Sequence, residues 1–122
     1  MDKLGVKPMS IVSVIGLKDE SFRQQLIDSG ADVIHGRLRT ESDLIFFAAD
    51  SLVALQKLTH LKNYLKPNGA IWVVSLKGPA AKIKDTDVIR AAKQSGLVDN
   101  KVVSFSETHT SLRLVIPLAQ RK

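Results

Sequence analysis

Cysteine is absent from this chain, and aromatic side chains are scarce, with one Trp, one Tyr and four Phe in 122 residues. The first absence excludes a thiol nucleophile, a disulfide staple and a thiolate-bound metal. The second leaves little from which to build the ring platforms that stack on nucleic-acid bases. Histidine is limited to His35, His60 and His109, whose spacings match no metal-ligand pattern, so no metal site is expected. No Gly-x-Ser-x-Gly elbow occurs, which leaves a serine hydrolase triad without support. No apolar run approaches the ~20 residues of a membrane-spanning helix. The start of the sequence shows no basic segment leading into an apolar signal core. A cytoplasmic protein with no membrane partner is the default expectation.

What remains has the composition of one ordinary globular domain spanning 1–122, with 44% apolar and 25% charged residues. The charge is unevenly spread. Residues 1–50 carry six Lys/Arg against eight Asp/Glu, a net of −2, whereas residues 51–122 carry twelve against four, a net of +8. Such a basic half is suited to an anionic ligand or nucleic acid. The cations are nevertheless scattered over several elements, as on a solvated surface.

Hydrophobic patterning places the elements. Residues 1–9 read as an extended lead-in, because Gly5 and Pro8 interrupt any helix. Ser10–Ile15 is β-branched and reads as a central strand. Asp19 can cap a following helix that turns Phe22, Leu26 and Ile27 to one side, and Gly30 ends it. Asp32–His35 is a short second strand. Leu44–Ala48 is apolar throughout, as a parallel strand covered on both faces should be. From Ser51 to Leu65, Leu52, Leu55, Leu58, Leu61 and Leu65 form one helical stripe, with Lys57, Lys62 and Lys66 facing water. Pro67 and Gly69 stop that helix and lead into a fourth strand, Ala70–Ser75. Leu76–Lys84 is a basic loop, and Asp85 is the preferred cap of a helix ended by Gly96. Lys101–Ser106 and Ser111–Ile116 are separated only by Glu107–Thr110. That gap is too short for a crossover helix, so the pair is an antiparallel hairpin.

The sequence thus predicts a three-layer, Rossmann-like α/β fold, with a mostly parallel sheet of about six strands and an antiparallel C-terminal hairpin. The βαβ unit over Asp43–Ser75, its Leu65-Lys66-Pro67-Asn68-Gly69 turn and the terminal hairpin resemble a reduced class I methyltransferase. The chain further resembles a family of short bacterial proteins known as a domain of unknown function. The matching stretches are Lys3–Pro8, Leu65–Val73, Gly96–Val103 and Glu107–Arg113. His109 stands where that family is expected to have Trp, and Thr110-Ser111 replaces a Ser-Gly pair.

The methyltransferase resemblance implies a glycine-rich turn after the first strand and an acid at the end of the second, where it would hold the ribose hydroxyls of S-adenosylmethionine. This chain has Gly16-Leu17-Lys18-Asp19 at the first place and His35-Gly36-Arg37 at the second. No cofactor and no catalytic residue are therefore expected. The candidate binding positions are Gly16, Asp50 and Lys77 at the carboxyl edge of the sheet, where α/β proteins bind ligands. Asp50 can alternatively cap the next helix. Lys77, with Lys82 and Lys84, could receive a phosphate or carboxylate. Glu107 and His109 on the hairpin turn could exchange a proton. The leading expectation is a non-catalytic binding or interaction protein, self-association included. A small S-adenosylmethionine-binding enzyme and a nucleic-acid accessory protein are the alternatives.

Overall fold

A computed structural model describes residues 4–120. The first three residues of the lead-in, including the Lys3 end of one family-like stretch, lie outside the described residues. The strands are β1 (Ile11–Ile15), β2 (Asp32–His35), β3 (Ser42–Ala48), β4 (Leu65–Leu76), β5 (Val98–Ser104) and β6 (His109–Val115). The helices are α1 (Glu20–Asp28), α2 (Leu52–Leu55), α3 (Leu58–Lys62) and α4 (Asp85–Gln94). The six strands form one sheet in the order β2-β1-β3-β4-β6-β5. Pairing is parallel from β2 through β4, and β6 runs antiparallel to both of its neighbours.

Alternation along the strands divides the core into two layers. Val12, Val14, Leu44, Phe46 and Trp72 point to one face, where Phe22 and Leu26 of α1 cover them. Ile45, Phe47, Ile71, Val73, Leu112 and Leu114 point to the other, under α2, α3 and α4. Trp72 is fully buried, and its indole N–H donates to the Leu4 carbonyl at 3.0 Å, which ties the lead-in to the sheet.

The connection from β2 to β3 is unusually short. A parallel crossover ordinarily takes a dozen or more residues and a helix, whereas here six residues, 36–41, pass over β1. A hydroxyl network makes this possible. Ser13 and Ser42, both fully buried, pair at 2.9 Å. Ser13 Oγ accepts the Arg39 N–H at 3.0 Å, and Ser42 Oγ donates to the Arg39 carbonyl. The crossing backbone is thereby satisfied by side chains instead of by a helix of its own. Leu38 packs into the core on the same face.

Several sequence expectations are corrected. The single helix expected over Ser51–Leu65 is two short ones, with i→i+3 bonds from Gln56 N–H to the Val53 carbonyl and from Lys57 N–H to the Ala54 carbonyl. Leu55, Leu58 and Leu61 recur every third residue, and tightening the turn toward three residues keeps all of them buried. Leu52, at the overhanging start, is 60% exposed, and Ile27 of α1 is 55% exposed, so neither joins its expected apolar face.

Pro67 and Gly69 do not stop a helix. They lie within β4, which begins at Leu65 and bulges between the pairs Ser42–Leu65 and Leu44–Ala70. Pro67 has no N–H to offer a ladder, which suits a bulge. Lys66, expected in water, instead pairs with Asp43 at 3.1 Å, and the other Asp43 oxygen accepts the Ile11 N–H at 2.8 Å. Asp85 does not cap α4. Lys84 is the N-cap residue, and Asp87 accepts its N–H at 2.8 Å. The hairpin strands begin and end one to three residues earlier than expected, leaving residues 105–108 as the turn.

Candidate functional site

Parallel pairing brings the carboxyl ends of β1, β2, β3 and β4 to one edge, and the antiparallel β6 returns the tip of its hairpin to the same edge. All five candidates from the sequence therefore gather there, though not in a single pocket. The topological switch lies between β1 and β3, since the chain leaves β1 toward β2 and later returns to its other side. Gly16 occupies that point with φ of 74°, and a Cβ on it would lie 3.6 Å from the Ala48 carbonyl. A side chain there would make ordinary contact with the end of β3.

The open space is on the other side of β1. A cavity of about 380 Å³ lies between the carboxyl ends of β1 and β2, bounded by Gly16, Lys18, Glu20, Arg23, His35 and Gly36. Asp19 caps α1 by accepting the Phe22 N–H at 3.0 Å, as its sequence position implied. This cap brings the first turn of α1, with Glu20 and Arg23, over the end of β2. Partial desolvation of the His35 ring holds its pKa below the ordinary 6.5; the Arg23 guanidinium adds to this effect, and Glu20 opposes it. The sequence reading singled out His35 but missed Arg23 and Glu20. Their signal was the three-residue spacing on a helix that a parallel β-α-β unit must lay across that strand end.

Asp50 does not cap α2, because Ser51 does so by accepting the Ala54 N–H at 3.1 Å. Instead Asp50 Oδ1 accepts the Leu76 N–H at 2.9 Å, linking the ends of β3 and β4. Lys77 donates its backbone N–H to the Thr108 carbonyl at 3.0 Å and its ammonium to Ser104 Oγ at 2.8 Å. With Lys84, Gly78 and Thr110 it also borders a smaller cavity of about 300 Å³. Lys82 is exposed. His109 opens β6, and its Nδ1 pairs with Thr108 Oγ1 at 2.8 Å rather than with the Glu107 carboxylate. Among the described residues, no group of three His, Asp or Glu side chains is placed to hold a metal ion. None of the described helices is long and apolar enough to cross a membrane.

This sheet, with its switch point at β1 and its reversed strand in the last hairpin, defines a methyltransferase-like member of the Rossmann-type class. Among solved structures the chain is similar to an S-adenosylmethionine-dependent methyltransferase from Aquifex aeolicus. The TM-score is 0.75 at 15% identity, covering 95% of this chain and 87% of that one. It is also similar to magnesium protoporphyrin IX methyltransferase from Synechocystis PCC 6803, whose structure holds bound S-adenosylmethionine. There the TM-score is 0.71 at 14% identity, covering 90% of this chain and 71% of that one. Identities this low speak to the fold alone. No curated protein matches the sequence. The chain belongs to the DUF3052 family, proteins of unknown function, whose model matches residues 1–118.

Proposed function

We propose that this chain is a non-catalytic binding protein built on a methyltransferase-type scaffold. One observation carries the reading: His35 ends β2, bordering the same cavity as Arg23. Folds of this class bind ribose hydroxyls through an acid at that position. A carboxylate offers two acceptor oxygens to a diol, while a neutral imidazole offers one acceptor and a guanidinium none. The neighbouring residues point the same way. Leu17 packs into the core, and the Asp50 carboxylate is engaged by the Leu76 N–H. These residues do not fit S-adenosylmethionine in its usual mode, and no methyl-transfer step is derived for the chain.

A second reading, a small-molecule or S-adenosylmethionine-dependent enzyme, draws on the cavity itself. Gly16 and Gly36 both have positive φ and flank about 380 Å³ of space at the edge where α/β ligands bind. Native mass spectrometry of freshly purified protein tests the binding reading. The expected result is a co-purifying ligand, a partner or a self-associated form. A bare monomer that recovers no partner would contradict it.

A further inference from the structure

We propose that the crevice between the carboxyl ends of β1 and β2 takes a phosphate-bearing ligand, its phosphate held by Arg23, Lys18 and His35. This deepens the binding reading above and rests on it. The three side chains come from α1, from the turn before it and from the end of β2, and they border one cavity. Where an acid accepts hydroxyls in this fold class, an arginine instead accommodates a phosphate. Arginine binds phosphate through paired, charge-assisted hydrogen bonds.

The backbone at the crevice lies open. Gly36 has φ of 80°, and a Cβ added there would meet nothing within 4 Å. A cavity of about 380 Å³ exceeds a bare phosphate, leaving room for the group that carries it.

The titratable groups that border the cavity with His35 are Lys18, Asp19, Glu20 and Arg23, all from the β1–α1 turn and the start of α1. Asp19, although engaged by the Phe22 N–H, and Glu20 both oppose an anion here. With His35 neutral, the two cations and two acids cancel. Protonation of the ring tips the balance to positive. A bound phosphate therefore favours the imidazolium, and binding strengthens as pH falls.

Calorimetric titration of the full chain with adenosine monophosphate, adenosine and inorganic phosphate tests this, with the His35 ring resonance followed by NMR. Adenosine monophosphate is expected to bind severalfold more tightly at about pH 6.5, where its phosphate is still mostly dianionic, than at about pH 8, and adenosine not to bind. Inorganic phosphate binding as tightly as the nucleotide supports recognition of the phosphate alone, and weaker binding supports a site that also holds the carrier. Arg23→Gln should weaken the nucleotide about tenfold at an unchanged melting temperature, with Arg23→Lys recovering part of the loss. Equal binding of adenosine and its monophosphate would overturn the proposal. So would unchanged affinity in Arg23→Gln, or a His35 resonance that neither phosphate compound moves. Such results leave the non-catalytic reading standing, whereas binding of S-adenosylhomocysteine would strike that reading itself.

Discussion

Asp50 shows how a side chain at the ligand edge can be committed to the scaffold. Its Oδ1 holds the Leu76 N–H at 2.9 Å, extending the link between two strand ends beyond the backbone bond from Ala49 N–H to the Val74 carbonyl. Asp50→Ala should destabilise the protein by about 1–3 kcal/mol, and Asp50→Asn by less, as read from urea unfolding. Indistinguishable midpoints for Asp50→Ala and the native chain would show that the bond contributes nothing. Sequence spacing placed Asp50 at this edge but offered the following helix as its partner, because the partner in fact used lies 26 residues away. His35 adds a pH dependence whose sign is fixed. Its folded pKa lies below the ordinary 6.5, so the unfolded chain takes up a proton first as pH falls past that value. Stability from this group is complete above that pH and is lost as pH falls through the folded value. Thermal melts across this range should flatten in His35→Gln; parallel curves for variant and native chain would contradict the assignment.

At the scale of elements, backbone pairing decided what side-chain periodicity alone did not. The Leu65–Gly69 segment carries helix-stop residues, yet it forms a bulge because Asp43 and Lys66 pair across it and the β3 backbone lies close. A Cβ on Gly69 would sit 2.8 Å from the Asp43 carbonyl. Gly69→Ala should therefore cost about 1–3 kcal/mol by forcing the bulge to shift, measured by chemical denaturation. A neutral substitution would mean that the two backbones separate freely. The crossover of residues 36–41 makes a similar demand on β1. Ser13→Ala removes the acceptor of the Arg39 N–H in a fully buried place and should cost about 1–3 kcal/mol. A serine within an apolar strand was visible in the sequence. Its partners were not, since they depend on the chain crossing back over β1.

At the scale of the whole molecule, the sheet was legible because buried parallel strands read as continuous apolar runs and a four-residue gap forces a hairpin. The site was harder to read. Its candidates are divided among the ends of four strands, and only the strand order decides that Arg23 and His35 border one cavity and Lys77 another, while Asp50 ties two strand ends. The methyltransferase-like architecture is plain, whereas the position that would hold the ribose carries a histidine. S-adenosylhomocysteine is the most direct probe of that contrast. A ligand at a hundredfold over its Kd stabilises the folded state by about 2.7 kcal/mol, a rise of several degrees in melting temperature for a domain of this size. For the full chain with millimolar S-adenosylhomocysteine, the account predicts no rise in melting temperature. A rise of several degrees, abolished by substitution of Gly16, would contradict it and make this chain a cofactor-binding member of its fold class.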